Sequence, residues 1–113
     1  MKHILTALTL SAVLASPAWS NYINNKYEWD DLPPVAKSAY AMGVFDESIT
    51  ELGLDHEVVS KHRRAKSKCV VSNKMTPKDL VDIIDAMYRN DVSLWSKPPD
   101  NILHRGLLRA CNI

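Results

Sequence analysis

From residue 33 onward, the hydrophobic positions recur every three or four residues, which is the spacing of amphipathic helices. A first long helix is predicted from about Pro33 to Leu52, because the prolines fit a first helical turn and Gly53 is a natural stop. Within this helix Ala39 and Gly43 leave a groove of small residues. That groove belongs either to the core or to the seam of a dimer.

The clearest helix start in the chain follows its most basic segment. Thr76 can cap the helix, Pro77 suits the first helical position, and Asp79 is favourable at the positive end of the helix dipole. The apolar residues that follow form one stripe: Leu80, Ile83, Ile84, Met87 and Tyr88. On the polar side of the same helix, Asp85 can pair with Arg89 four residues further on.

A last helix is predicted to open at Pro98-Pro99-Asp100, after a connection over residues 90–97 that carries Trp95. Its apolar face is made of Ile102, Leu103, Gly106, Leu107, Ala110 and Cys111. We see no strand of useful length. The pattern therefore predicts an all-α bundle of about four to five helices, forming one domain over residues 21–113.

The N-terminal residues 1–20 have the pattern of a secretory signal peptide. Lys2 gives a positive start, a run of twelve apolar and small residues follows from Ile4 to Ala15, and Ser16, Ala18 and Ser20 offer cleavage spacing. The run is too short for a membrane span, which needs about 20 residues. We expect an exported protein that is not inserted in the membrane after cleavage.

Cysteine content and net charge limit the covalent structure and the partners that we expect for this protein. Cys69 and Cys111 are the only cysteines, and in an exported chain such a pair is expected to form one disulfide. The chain has 14 basic and 13 acidic residues, so that removal of Lys2 with the leader leaves 13 of each. A net charge near zero gives no reason to expect nucleic acid as a partner.

No catalytic or metal-binding constellation is found. His56 and His62 are six residues apart, whereas the zinc-protease motif needs two histidines four apart on one helix face. The cysteines are assigned to the disulfide, and with three glycines in the chain there is no glycine-rich phosphate loop. We expect no enzymatic activity, no cofactor and no metal, which leaves binding to a partner.

Two segments are candidates for a partner-binding surface. Residues 55–68 hold five of the 14 basic residues, the densest cluster of positive charge in the chain, and are either the solvated face of a short helix, an ordered loop, or a docking surface. Residues 91–99 carry Trp95, which is either a satellite core residue or a binding hot spot. The candidate binding residues are Asp55, His56, Glu57, His62, Arg63, Arg64, Ser93 and Trp95.

The order of motifs over residues 39–111 resembles a known family. It runs from AYAMGVFD at 39–46 through Cys69-Val70-Val71 to MTPKDLVDII at 75–84, then Asn90, Pro98-Pro99 and a final LLRAC at 107–111. This order is similar to that of the Rap and Tai-type periplasmic immunity proteins, which protect bacteria from type VI secretion amidase toxins.

The resemblance implies an all-α periplasmic protein, often a homodimer, that binds a cognate peptidoglycan amidase effector and occludes its active-site cleft. The expected plug is the basic segment or the connection that carries Trp95. Two other functions stay open on the residues alone: a small periplasmic acid-stress chaperone, or an adaptor of an envelope complex.

Overall fold

The computed structural model describes residues 23–49 and 57–113, and within these ranges the protein is all-α with no strand. The helices are α1 (Lys26–Asp30), α2 (Pro34–Ile49), α3 (Glu57–Ser72), α4 (Pro77–Asn90) and α5 (Pro99–Ala110), with a 3-10 turn at Val92–Leu94. The predicted all-α bundle with one disulfide is confirmed. The predicted signal peptide lies outside the described residues.

The core is formed where α2, α4 and α5 pack against one another. From α2 it takes Tyr40, Ala41 and Phe45; from α4 Leu80, Ile84 and Tyr88; from α5 Ile102, Leu103 and Leu107. These side chains recur at helical spacing, so each helix buries one stripe. The apolar faces predicted for α4 and α5 are confirmed, except that Ala110 is exposed.

The start of α4 is fixed by a capping box. The Thr76 side chain accepts from the backbone N–H of Asp79 at 3.2 Å, and the Asp79 carboxylate accepts from the backbone N–H of Thr76 at 2.8 Å. Both bonds satisfy N–H groups that a helix start leaves without partners. Hydrogen bonding of the Asp79 carboxylate to the backbone N–H and then to the side chain of Thr76 lowers the pKa of Asp79, because the charged carboxylate is the better acceptor.

The short helix α1 contributes the largest fully buried side chain among the described residues, that of Trp29. Its ring meets Tyr40 edge to face with 5.7 Å between centroids, and its Nε1 donates to Asp85 Oδ1 at 2.8 Å. The pairing of Asp85 with Arg89 suggested by sequence is not formed. Asp85 instead accepts from a residue 56 positions earlier, which no local spacing rule predicts.

The basic segment is helical, and α3 extends through it as far as Ser72. Cys69 near its end bonds to Cys111 just after α5, with the Cα atoms 5.9 Å apart. The helix ends with Lys74 at φ 51°, while the N–H groups of Lys74 and Met75 donate to the carbonyls of Val71 and Val70. The disulfide therefore joins the end of α3 to the end of α5.

The predicted groove residues of α2, Ala39 and Gly43, do not serve the core. Ala39 and Gly43 are both exposed, and a Cβ built on Gly43 would meet no atom of another described segment within 4 Å. Of the two alternatives left open by the sequence, the core is therefore wrong. The dimer seam stays a prediction.

Candidate partner-binding surfaces

The structure separates the predicted binding residues into two regions. His62 and Arg63 line a groove between α2, α3 and α5, whereas Ser93 and Trp95 lie at the 3-10 turn that follows α4. Arg64 is exposed and does not line that groove. Of the remaining predicted residues, Glu57 is the first residue of α3 but its side chain is outside the description, as are Asp55 and His56 altogether.

The first region is a groove of about 380 Å³, here called the basic groove. Its lining comes from three helices: Val44, Glu47 and Ser48 of α2, His62, Arg63 and Lys66 of α3, and Asp100 and His104 of α5. The α3 residues face the groove together because positions three and four apart lie on one side of a helix. Thus Arg63 and Lys66, two of the five lysine and arginine residues in the charged segment, line the groove and are partly buried.

The inner wall of the basic groove is formed by Lys66 and His104. Lys66 Nζ lies 3.3 Å from His104 Nδ1, within hydrogen-bond distance. Burial, followed by the neighbouring Lys66 ammonium, lowers the pKa of His104. The pKa of Lys66 is also lowered, by burial and by the positive charge of Arg63. A neutral His104 can accept a hydrogen bond from the Lys66 ammonium through Nδ1, and that arrangement avoids two adjacent positive charges.

Arg63 is the residue of the groove with an unmet hydrogen-bond requirement. Its Nη1 is buried and has no hydrogen-bond partner within the described part of the chain. Glu47 and Asp100 line the same groove, but neither forms an ion pair with Arg63 or Lys66. Both carboxylates belong to exposed residues, whereas Arg63 is half-buried. A buried guanidinium N–H without an acceptor is costly, so this position favours an added acceptor.

The second region, here called the Trp95 shelf, consists of Trp95 with Lys26, Tyr88, Asp91 and Ser93. The indole Nε1 of Trp95 donates to the Tyr88 carbonyl at 2.6 Å, and its backbone carbonyl accepts from Lys26 N at 3.0 Å. The Lys26 ammonium lies 5.0 Å from the ring centroid. Trp95 is nevertheless 45% exposed, which combines a fixed orientation with a free ring face.

The turn that carries this shelf is held by its own side chains. Asp91 Oδ1 accepts from both the backbone N–H and the hydroxyl of Ser93, at 3.0 and 2.6 Å. These bonds lower the pKa of Asp91, since they favour its charged form. Ser93, predicted as a contact residue, therefore has a structural role in the turn and keeps its exposed position.

Sequence reasoning missed His104 as a member of the basic groove. It places His104 off the buried face of the last helix, whereas the ring is half-buried against α3. Lys66 could have been found, because it lies three and four residues from Arg63 and His62 on the same helix. His104 could not have been found in this way, because its contact in the structure, Lys66, lies 38 residues earlier in the chain.

The described residues give no sign of a metal centre or a membrane span. Within residues 23–49 and 57–113 no three histidine, cysteine or carboxylate groups converge so as to hold a metal ion. No helix in those ranges is both long and apolar enough to cross a bilayer. Comparison with known proteins finds no matching family model, no matching curated protein and no matching solved structure.

Proposed function

We propose that this protein is a periplasmic immunity protein that binds a peptidoglycan amidase of type VI secretion and blocks its active-site cleft. The observation that carries the proposal is the family resemblance over residues 39–111, in which Cys69 begins the motif Cys69-Val70-Val71 and Cys111 ends the last motif. A disulfide between them suits an oxidising exported compartment. The predicted leader supplies the route of export.

The described surface offers what an inhibitor needs and requires no catalytic group. An exposed tryptophan in a fixed orientation is the kind of residue that dominates protein interfaces, because it buries a large area with little loss of conformational freedom. The basic groove adds charges that can select an acidic partner surface and speed its association. A rigid scaffold lowers the entropic cost of binding.

The test starts with the full chain produced in a bacterium and purified from its periplasm. Mass spectrometry of the purified protein measures whether residues 1–18 or 1–20 have been removed and whether two thiols are absent. The protein is then immobilised and exposed to secreted and periplasmic proteins of its own strain, grown with type VI secretion active. We expect capture of one cysteine-peptidase-like amidase that loses activity on purified peptidoglycan in the complex.

The same experiment separates this function from the chaperone alternative. A chaperone would capture many unrelated proteins at acid pH and suppress their aggregation, without inhibiting one enzyme. Capture of that kind, or an amidase that remains fully active when bound, would contradict the proposal. Capture of several envelope proteins in one stable assembly would instead favour the adaptor alternative.

A further inference from the structure

We infer that the basic groove is a carboxylate-binding site, in which Arg63 and Lys66 receive an acidic side chain of the protein partner and His104 gains a proton. The class of ligand follows from the groove alone, and only the source of the carboxylate rests on the proposed function. The proposal adds Lys66 and His104 to the predicted contact residues and assigns a chemical complement to them.

Arg63 and Lys66 carry N–H donors that lack acceptors in the groove. Arg63 Nη1 is buried and unpartnered among the described residues, and Lys66 Nζ has only the His104 ring nitrogen within hydrogen-bond distance. An ammonium has three N–H donors and a guanidinium five, so both groups have donors to spare. A carboxylate is the complement of such a pair, since it offers two oxygens with about four acceptor sites.

The groove already contains two acidic residues, Asp100 and Glu47. Asp100 Oδ1 accepts from the backbone N–H of Asn101 at 2.6 Å, so one of its two oxygens is engaged at the start of α5. Glu47 belongs to α2 and is exposed, where water screens its charge. Neither neutralises the half-buried pair of cations. A ligand carboxylate that enters between Arg63 and Lys66 would do so at short range and with less competition from water.

Binding of a carboxylate in the groove is coupled to protonation of His104. His104 faces Lys66 and Arg63 from α3, Glu47 from α2 and Asp100 on its own helix, with His62 at the groove edge. In the free protein burial, and then the Lys66 ammonium, disfavour a charged imidazole. A bound carboxylate adds a negative charge beside Lys66 and the ring, so His104 holds a proton more tightly in the complex. Binding then takes up a proton and strengthens as the pH falls from about 7.5 toward 6.

The test on the isolated protein uses acetate as the probe and His104 as the reporter. The pKa of the imidazole is measured by NMR in sodium acetate and in sodium chloride at equal ionic strength. We expect a higher His104 pKa in acetate, by several tenths of a unit. The acetate-minus-chloride difference should vanish in Arg63→Gln and Lys66→Gln. It should persist in Lys68→Gln, which removes the same charge from an exposed position on α3.

Equal pKa values in the two salts for the unmodified protein would overturn the inference, as would an undiminished response in Arg63→Gln. Because these readouts need no partner, they stand even if no amidase is captured, an outcome that contradicts only the proposed function. Circular dichroism of each variant verifies that the helices remain.

The source of the carboxylate is tested on the captured amidase. We expect Arg63→Gln to weaken binding at least tenfold at pH 6.5 and Lys68→Gln to leave it within about threefold. Calorimetry in buffers of different ionisation enthalpy should show proton uptake that His104→Gln abolishes. Equal affinity of Arg63→Gln and unmodified protein for the amidase would overturn the assignment of the partner's side chain as the occupant. Soluble peptidoglycan stem peptides could instead raise the His104 pKa while Arg63→Gln and the unmodified protein bind the amidase equally well. That result would identify the carboxylate as one of the cell wall.

Discussion

The indole Nε1 of Trp29 donates to Oδ1 of Asp85, and this bond of 2.8 Å ties α1 to the middle of α4. Trp29 is fully buried, and its indole N–H donates to no other acceptor among the described residues. We predict that Asp85→Ala lowers the free energy of unfolding by about 1–3 kcal/mol, the usual cost of a buried donor left unpaired. Urea unfolding followed by circular dichroism measures the change.

The same helix provides the control. Asp82 carries an identical side chain one turn earlier, where it accepts from Lys78 in an exposed pair at 3.0 Å. Asp82→Ala should change stability by no more than about 0.5 kcal/mol, because exposed pairs four residues apart contribute little. Asp85→Asn, which keeps an acceptor oxygen, should lie between the two. Equal losses for Asp82→Ala and Asp85→Ala would show that the indole bond does not stabilise the fold.

The disulfide is predicted to supply a large share of the stability of this small protein. Cys69 and Cys111 are 42 residues apart, and the chain-entropy model gives about 4 kcal/mol for a loop of that length. We expect the double variant Cys69→Ser with Cys111→Ser to unfold at markedly lower urea concentration. A double variant as stable as the unmodified protein would mean that α3 is held on α5 by packing alone.

Stability should decrease as the pH falls below about 6.5, with His104 as the group responsible. Burial beside Lys66 lowers its pKa in the folded state, so the unfolded chain takes up a proton first. The neutral ring contributes its full stability above the ordinary histidine pKa of about 6.5, and that contribution is lost as the pH drops toward the lower, folded value. Asp79, whose pKa is lowered by its capping bonds, adds a further loss only below about pH 4.

Urea unfolding at pH 7.5 and at pH 5.5 measures this effect. His104→Gln should reduce the difference between the two pH values, since glutamine does not titrate. His62→Gln, at an exposed position of the same groove, should leave the difference unchanged. A pH dependence that survives His104→Gln in full would assign it to other groups.

The predictable part of this protein is local and the unpredictable part is tertiary. The start of α4 could be predicted because Thr76, Pro77 and Asp79 satisfy one another within a single turn. The disulfide followed from the cysteine count and the predicted leader. By contrast, the partners of Asp85 and His104 depend on how helices dock, and in both cases a residue far along the chain replaces the expected neighbour or solvent.

The two alternatives for Trp95 are likewise decided by docking rather than by sequence. It is neither fully buried nor free, because α1 and the end of α4 each hold one of its polar atoms and leave the ring half-exposed. Composition of the connection could identify the residue as a candidate. It could not indicate that the Lys26 ammonium would lie over the Trp95 ring.

If the Trp95 shelf is part of the interface, Trp95→Ala should weaken binding of the captured amidase at least tenfold, or about 1.4 kcal/mol. The protein should remain folded at 25 °C, since Trp95 is outside the buried core. Val92→Ala, an exposed apolar residue of the same turn, is the control and should bind within about threefold of the unmodified protein. Unchanged affinity of Trp95→Ala would remove the shelf from the interface.

Replacement of two helical glycines, Gly106 and Gly43, by alanine is predicted to change the stability of the fold in opposite directions. A Cβ on Gly106 would meet Cγ2 of Ile83 at 2.3 Å, where α5 crosses α4. Because Ile83 is β-branched and stiff, the helices must separate, and Gly106→Ala should cost about 1–3 kcal/mol. Gly43 has open space around its Cα, so Gly43→Ala should instead stabilise α2 by about 0.5–1 kcal/mol through helix propensity.

The Gly43 result also bears on the predicted homodimer. Alanine at this exposed position adds a methyl group that a monomer tolerates and a close helix–helix seam does not. If Ala39 and Gly43 form such a seam, Gly43→Ala will raise the dimer dissociation constant measured by analytical ultracentrifugation, and its stabilising effect will be reduced or reversed at high protein concentration. A stabilisation that is independent of concentration, with unchanged sedimentation, would place any dimer contact elsewhere on the protein.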